Sequence, residues 1–418
     1  MRFSSLSDWL TWQEGLHPES IELGLERVSQ VFKSLHSSVP AIPVITVAGT
    51  NGKGSSIALL EAVYQQAGYR TCTYTSPHII HYNERIRINS HNVSDEQICE
   101  AFERIDQARG AISLTYFEFG TLAALDIFYR DKPDIMLLEV GLGGRLDAVN
   151  IIDADVALIT SIGIDHTSWL GHDKESIARE KAGIMRQSHP AIFSQKEMPV
   201  SIRDVAEEVG AELFVNGQDF SWQSNTDGAS WNWKSGKTNR MTLPFPNLRG
   251  AHQLDNAAGV IMAIECLSDR LPVNQQAIRA GLLDFSLAGR FQCITGTPLH
   301  ILDVAHNADS MKVLAESLRG FGQGRNLAVL GMLEDKEHAK ALSMMLPVID
   351  RWFVTDLDVP RGCSAEYLKS VLEKLQPGVP VMAFEKFQEA LSAADAAAQE
   401  NDNVVIFGSF YTVAMAVA

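Results

Sequence analysis

The stretch Val44-Ile45-Thr46-Val47-Ala48-Gly49-Thr50-Asn51-Gly52-Lys53-Gly54-Ser55-Ser56 decides the fold. Its first five residues are mostly β-branched and apolar and read as a buried strand. Gly49, Gly52 and Gly54 then surround Lys53, and two serines lead into Ile57-Ala58-Leu59-Leu60-Glu61-Ala62-Val63, a helix-forming run. Strand, glycine-rich turn and helix make a phosphate cradle. Backbone N–H groups at the turn and the helix N-terminus point at an anion, and the helix dipole favours negative charge there. Lys53 adds a point charge for terminal phosphates, and a serine hydroxyl can reach a phosphate-bound magnesium ion. The spacing departs from G-x-x-x-x-G-K-[ST], because Gly54 separates Lys53 from Ser55 and Gly49 and Gly52 are three positions apart. The competing reading is an ordinary glycine-rich turn. Lysine, glycines and strand context agree on the cradle.

Working outward, 418 residues exceed one ordinary core, so two domains are expected. A content of 46% hydrophobic and 21% charged residues is that of a soluble globular protein. A formal net charge of -16 argues against a general binder of nucleic acid or membrane surfaces. The five cysteines are scattered, with no C-x-x-C pair, which suits a reducing compartment and gives no zinc signature. No run reaches the roughly 18 apolar residues of a membrane span, and no signal core opens the chain. A cytoplasmic protein is expected.

In chain order, Leu6, Trp9 and Leu10, then Val28, Val31, Phe32 and Leu35, predict helices within Ser4–Val39, broken by a loop over His17–Arg27. Thr71–Tyr74 reads as a strand running into Thr75-Ser76-Pro77-His78, a strand end of the kind where open α/β sheets place ligands. Ser76 there either meets a metal or begins a turn. Asn83–Ile88 alternates like a strand, and Ser94–Arg109 is an amphipathic helix with capping-box spacing. Ser113–Thr121 leads into a helix over Leu122–Phe128. The aromatics around Glu118 form either a slot for a flat heteroaromatic ligand or a packed helix start.

Asp134–Val140 is a buried strand with Glu139 at its end, the usual place for a magnesium ligand beside a phosphate loop. Burying Glu139 without a partner or metal would be costly. Ala154–Ile162 is another strand, followed by Asp165-His166, where the histidine is a ligand or a structural residue. On a helix over Asp173–Gln187, Lys181 falls on the stripe of Ile177 and Ile184, so its amine either snorkels or is held in the site. Trp222, Trp231 and Trp233 lie in a polar segment, about Phe220–Leu243, that reads as a short antiparallel hairpin insert. An alanine-rich helix follows Leu248 and runs through Cys266.

A domain boundary is expected near Phe285–Gly296. Beyond it, strands at His300–Asp303, Leu327–Leu330, Trp352–Thr355, Val381–Phe384 and Val404–Phe407 alternate with helices. The polar strand ends Asp303-Val304-Ala305-His306-Asn307 and Gly408-Ser409-Phe410-Tyr411-Thr412 suit a cleft between domains. The expected fold is therefore α/β. Residues 1–288 form a phosphate-loop ATPase domain with a mostly parallel sheet and a small antiparallel insert. Residues 289–418 form a smaller Rossmann-like α/β domain. A phosphate loop alone does not separate ATPase, kinase and ligase.

Gly49-Thr50-Asn51-Gly52-Lys53-Gly54-Ser55, Ser76-Pro77-His78, Thr115-Tyr116-Phe117-Glu118, Glu139-Val140-Gly141-Leu142-Gly143-Gly144-Arg145-Leu146-Asp147, Asp165-His166, Glu180-Lys181-Ala182-Gly183-Ile184, Gly289-Arg290-Phe291 and Asp303-Val304-Ala305-His306-Asn307 stand in one order. In that order the chain resembles the folylpolyglutamate synthase family, within the wider group of ATP-dependent Mur ligases, over nearly its whole length. The resemblance implies ligation of L-glutamate to dihydropteroate and to reduced folates through an acyl phosphate, with ATP as co-substrate and two Mg2+ ions. It implies ATP binding by Gly49, Asn51, Gly52, Lys53, Gly54, Ser55, Asn256, Arg290 and Asp303. It implies folate binding by Thr115, Tyr116, Phe117, Glu118 and Leu146, and glutamate binding by His306 and Ser409. Metal ligation falls to Ser55, Ser76, Glu139, His166 and a carbamylated Lys181, and catalytic roles to Lys53, Lys181, Asp303 and His306. Small molecules are the partners, with no nucleic acid and no membrane, and a monomer is the family expectation.

One departure is Ala308, where the family often has proline. Three other readings stay open. A synthase that only extends folates would share every motif. A peptidoglycan-precursor ligase would need a uridine-nucleotide domain ahead of the phosphate loop, which here is reached by residue 49. A nucleotide-dependent switch would not need a second domain carrying Asp303 and His306.

Overall fold

Val44–Ala48 (β1) is the strand around which the larger sheet is ordered in the computed structural model, which describes every residue except Met1, Ser20, Val39, Pro40, Asp227, Lys237, Arg249, Gly250, Ala251, Gln323 and Ala418. The chain divides into two compact units, Met1–Asn247 with Gln253–Phe285, and Leu248–His252 with Ser286–Ala418.

In the first unit, Thr71–Tyr74 (β2), Ile86–Ile88 (β3), His91–Asn92 (β4), Ile135–Glu139 (β5), Val156–Ile159 (β6), Pro190–Phe193 (β7) and Glu212–Val215 (β8) join β1 in the order β4-β3-β2-β5-β1-β6-β7-β8. All pairings from β2 to β8 along this order are parallel, and β3 and β4 add an antiparallel edge. β1, β5 and β6 are buried along their whole length, as strands covered on both faces must be. The chain builds outward on one side of β1 and then on the other. The carboxyl ends of β5, β1 and β6 therefore open together at a topological switch point, the position where such sheets bind ligands. Helix Gln275–Asp284 packs on the phosphate-loop helix Lys53–Gln66 so closely that a Cβ on Gly281 would lie 2.8 Å from the Val63 Cα.

Several expectations are corrected. Asn83–Arg85 is not strand but part of a 3-10 turn, Tyr82–Arg85. The Glu84 carboxylate gathers the N–H groups of Ile79, Ile80 and His81 at 2.7, 2.9 and 2.7 Å and curls the chain before β3 starts. The helix expected over Leu122–Phe128 begins already at Tyr116 and runs to Asp131, because Thr115 caps it. The helix after Asp173 stops at Ala182 rather than Gln187. Arg186 there turns back onto the carbonyls of Gly183 and Met185 at 3.3 and 3.0 Å, an arrangement closed to a continuing helix. β7, β8 and helix Val200–Val209, absent from the sequence reading, complete the sheet.

The insert holds three strands, Phe220–Ser224 (β9), Ser230–Ser235 (β10) and Asn239–Pro244 (β11), in a separate antiparallel sheet. Trp231 and Trp233 are buried in it, donating to Pro244 O and Ala258 O at 2.7 and 3.1 Å, so these rings are core. The alanine-rich helix runs His252–Cys266. Arg249, Gly250 and Ala251 ahead of it, and Val39 closing the N-terminal helical span, lie outside the described residues.

The second unit is a sheet of Gln292–Ile294 (β12), Leu299–Asp303 (β13), Asn326–Leu330 (β14), Arg351–Thr355 (β15), Val381–Phe384 (β16) and Asn403–Phe407 (β17), ordered β12-β13-β17-β14-β15-β16. Only β12, an edge strand the sequence reading passed over, is antiparallel. Asp303 and Phe407 are partners in register, so the two polar strand ends named above emerge side by side.

Candidate active site

The phosphate loop is stitched to the end of β6 by side chains that sequence reasoning did not single out. Thr50 N donates to Ser161 O at 2.8 Å and Asn51 N to Ser161 Oγ at 2.9 Å. Thr160 Oγ1 and Ser161 Oγ both donate to Asn51 O, at 2.7 and 2.9 Å, and Gly163 N donates to Thr50 Oγ1 at 2.9 Å. A Cβ on Gly49 would collide with Thr160 Oγ1. Gly52 stands at φ +89 immediately before the helix, where the amide of Asn256 would be 2.8 Å from an added Cβ. The long helix thus brings Asn256 onto the loop. Lys53 Nζ sits within the turn, donating to Gly49 O and Thr50 O at 3.0 and 3.3 Å, and Ser55 is buried beneath it in the first helical turn.

At the neighbouring strand ends, Ser76 N donates to Glu139 Oε2 at 3.3 Å, which joins two of the expected metal ligands. Past Glu139 the chain turns through Gly141–Gly144 to Asp147. The Asp147 carboxylate is buried and accepts from Leu142 N at 2.8 Å and Val149 N at 3.0 Å. Burial pushes it up to about 6, against the pull of those N–H groups and of Lys53. Lys181 is buried too, and burial with the nearby Lys53 charge pushes its amine down to about 7, opposed by Asp165 and Asp147. Lys53, Lys181, Asp147 and Asp165 therefore act on one another electrostatically. Sequence reasoning gave no role to either aspartate. His166 is exposed, in a left-handed conformation at φ 52.

These donors suit magnesium in part. Ser55, Ser76 and Glu139 are hard oxygen ligands, and Mg2+ keeps waters and substrate phosphates rather than demanding a full protein cage. Among the described residues no group of three or more His, Cys, Asp and Glu side chains forms such a cage. Lys181 fits a cation only after conversion to a carbamate, as its buried amine lies beside Lys53.

The residues expected to bind folate divide into two groups. Thr115 and Glu118 form a capping box: Thr115 N and Oγ1 donate to Glu118 Oε2 at 2.8 and 3.0 Å. Arg27 Nε reaches both Glu118 oxygens at 2.9 Å and also pairs with Glu22. Arg27 lies in helix Glu26–Leu35, so the loop expected to run to Arg27 ends before Glu26. Phe117 and Tyr116 are placed differently. The Phe117 ring presses on Gly141, where a Cβ would be 2.5 Å from its Cζ. Tyr116 lies edge-on to Tyr82 at 5.8 Å, and the Arg85 guanidinium stands 5.6 Å from the Tyr116 ring centre. Arg85 Nε donates to His78 Nδ1 at 2.8 Å, and burial with the Arg85 charge pushes His78 down to about 4, keeping it a neutral acceptor. Arg85 escaped the sequence reading because it was taken for the polar face of a strand. Leu146 is half-buried beside exposed Arg145.

In the second unit, Asp303 is held by Phe291 N and Ala305 N, each at 2.8 Å. Burial raises its carboxyl and Arg290 draws it down. The Phe410 ring lies 5.8 Å from the Arg290 guanidinium and 6.4 Å from the His306 ring, so these three gather at the ends of β13 and β17. His306 Nδ1 bonds Val304 O at 2.8 Å. Ser409 is buried and engaged with Thr412, at 2.7 Å to Oγ1 and 3.0 Å from its N–H, at the start of the last helix. Ala308 is the first helical residue after the Asn307 cap, a position where proline is also tolerated.

Two family models match, the Mur ligase middle domain over residues 47–264 and the Mur ligase glutamate ligase domain over residues 289–410. Fold and phosphate loop together thus define an ATP-dependent ligase of the Mur type. The chain is 44% identical to a dihydrofolate synthase/folylpolyglutamate synthase of Escherichia coli, over 98% of this chain and 94% of the relative. A structure of E. coli FolC in complex with DHPP and ADP superposes with a TM-score of 0.93 at 43% identity, covering 99% of this chain and 97% of the other. One of the bifunctional enzyme from Yersinia pestis, complexed with AMPPNP and Mn ion, gives 0.91 at 44%, with 99% and 97% covered. The chain belongs to the dihydrofolate synthase/folylpolyglutamate synthase family. No helix among its described residues is long and apolar enough to cross a membrane.

Proposed function

We propose that this chain joins L-glutamate to dihydropteroate, giving dihydrofolate, and adds γ-linked glutamate to reduced folates, at the cost of one ATP per glutamate. The observation that carries this is the phosphate loop at the switch point of the sheet, with Asp147 and Lys181 bearing on Lys53, in a chain similar end to end to ligases of that name. A substrate carboxylate oxygen attacks the γ-phosphorus, the bond to ADP breaks, and an acyl phosphate forms. The glutamate amine then attacks the acyl carbon, losing a proton as phosphate leaves.

The parts follow from charge. Carboxylate and triphosphate repel, so Lys53 and the N–H groups of residues 52–55 hold the phosphates while Asn51 and Asn256 fix the loop's shape. Ser55, Ser76 and Glu139 would hold one magnesium ion, and His166 with carbamylated Lys181 a second, supplying positive charge at the transferring phosphoryl group. An amine pushed down to about 7 is partly neutral in the cell, which lets Lys181 Nζ bond the carbon of CO2 and release a proton. Tyr116 and Phe117, with Leu146, take the flat pterin, and Arg85 offers its guanidinium beside Tyr116. Thr115 and Glu118 act by holding the start of that helix. Arg290 and Asp303 serve the nucleotide, and His306 with the Ser409 turn serves glutamate. We assign phosphate and folate chemistry to residues 1–288 and glutamate handling to 289–418. Five free cysteines, three of them buried, suit the reducing cytoplasm, where we place the protein.

Mass spectrometry of products from Mg2+-ATP, glutamate and either dihydropteroate or tetrahydrofolate tests this. Glutamate added in both reactions is expected. Addition to tetrahydrofolate alone removes the first activity, and ATP hydrolysis with no adduct in either removes the folate assignment.

A further inference from the structure

We propose that Asn150 is a positioning residue that sets the separation of Asp147 and Lys181, and with it the shape of the site around Lys53. The inference rests on the preceding reading, in which those two side chains border the reacting phosphates. The Asn150 side chain bonds neither of those side chains, although the residue's backbone N–H donates to Asp147 O at 2.9 Å. It lies between the two segments that carry them.

Asn150 is buried in the short 3-10 turn Ala148–Ile151 that follows Asp147. Its Nδ2 donates to two carbonyls, Arg145 O and Gly183 O, each at 3.0 Å. The first belongs to the turn bearing Asp147 and the second to the end of the helix bearing Lys181. Its Oδ1 accepts from Arg186 NH2 at 2.8 Å, and the same guanidinium group bonds Asn150 O at 3.0 Å. Two carbonyls on one side and a cation on the other fix the amide's orientation, since the reverse would set oxygen against oxygen. Arg186 completes the clamp through NH1 to Gly183 O at 3.3 Å and through Nε to Asp153.

This link decides the geometry because the parts on either side are already rigid. Within the turn, Asp147 is locked by Leu142 N and Val149 N. Lys181 is locked within helix Lys174–Ala182. The relation of turn to helix remains. Arg145 N donates to Glu180 O at 2.8 Å, the Arg145 guanidinium pairs with the Glu180 carboxylate at 2.9 Å on the exposed side, and Asn150 supplies the buried tie. The fit tolerates no slack. A Cβ on Gly144 would lie 3.0 Å from the Lys181 Cα, and one on Gly183 would meet the Arg145 side chain. An amide is the group that satisfies two acceptors and one donor at once. A carboxylate at this position opposes two carbonyls, and an alanine leaves both carbonyls and a guanidinium short of partners inside the protein.

The test compares N150D and R186Q with K181A and with R179Q, an exposed residue of the Lys181 helix paired to Glu208, as the control. Steady-state constants for each substrate, thermal midpoints, and Mn2+ affinity by electron paramagnetic resonance in the presence of a non-hydrolysable ATP analogue are measured. N150D is expected to lower kcat and Mn2+ affinity about tenfold or more while KM for folate stays within about twofold, the range found for groups that orient ligands from behind. R186Q should show the same pattern at smaller size, and R179Q none of it. R186Q decides the matter if N150D does not fold. Loss of kcat only in proportion to the unfolded fraction, with Mn2+ affinity unchanged in both variants, overturns the proposal. K181A with full kcat would instead bring down the reading beneath it.

Discussion

Replacing Gly52 with alanine puts the phosphate loop to its most direct trial. At φ +89 a side chain is strained by about 1–2 kcal/mol, the left-handed penalty for an L-residue. The new methyl would also sit 2.8 Å from both terminal atoms of the Asn256 amide and 3.1 Å from its Cγ. Asn256 has little room to yield. It is buried on the helix His252–Cys266, and its Nδ2 donates to Gln253 Oε1 at 3.3 Å. The loop must therefore move by roughly half an ångström, at an overpacking cost of about 1–3 kcal/mol. Stability should fall by about 2–5 kcal/mol in urea titrations. The N–H groups aimed at the phosphates move with the loop, and losing one such donor costs about a hundredfold in rate. Calorimetry with ADP and kcat/KM for ATP would read the change, expected near a hundredfold, or about 2.7 kcal/mol. Adding Asn256→Ala, which removes the amide the methyl meets without placing glycine inside the helix, should return the overpacking share of stability and leave the backbone share. A G52A protein with unchanged urea midpoint and ADP affinity would refute the geometry, as would a double variant no more stable than the single.

Carbamylation of Lys181 predicts activity that falls in CO2-free buffer and returns with bicarbonate, more steeply below about pH 7 as the amine takes up a proton. Bicarbonate-independent activity, with no carbamate signal in carbon NMR of the intact protein equilibrated with labelled bicarbonate, would exclude it. The His78 imidazole stays neutral in the fold at a value pushed down to about 4 from 6.5. Above 6.5 it costs nothing. As pH falls from 6.5 towards 4 the unfolded chain binds a proton that the folded chain refuses, so stability declines. His78→Asn keeps an acceptor for Arg85 and should flatten that decline in thermal midpoints between about pH 7.5 and 5. An unaltered slope would locate the acid sensitivity elsewhere.

Elements with strong local signals were legible. β1 and β5 are apolar runs, the first followed by glycine and the second ending in an acid, and the Ser94 capping box announces the helix to Arg109 at its first residue. Elements fixed by tertiary contacts were not. β7 and β8 are four residues each, too short for periodicity to speak, and they become strands because β6 offers an open edge. Helix Lys174–Ala182 ends before its expected last turn, where Arg186 bonds the carbonyls of Gly183 and Met185 and also reaches Asn150 and Asp153, more than thirty residues away.

The same division runs through the site. Motif residues stood out in the sequence, yet a motif marks fold and chemistry alike. Thr115 and Glu118 cap a helix, Ser409 is tied to Thr412, and the Asp303 carboxylate accepts two backbone N–H groups. Each fixes its own surroundings, the start of the Phe117 helix, the start of the last helix or the end of β13. Thr160, Ser161 and Asn150 have no periodicity or charge to betray them. Their work is to bond backbone across a gap of 33 to 110 residues for Asn150 to Gly183 and for Ser161 to Asn51. Such bonds draw their strength from burial, where an unmade partner costs about 1–3 kcal/mol. A phosphate loop of irregular spacing can hold its form on that basis. Its geometry comes less from its own glycines than from the strand end to which it is sewn.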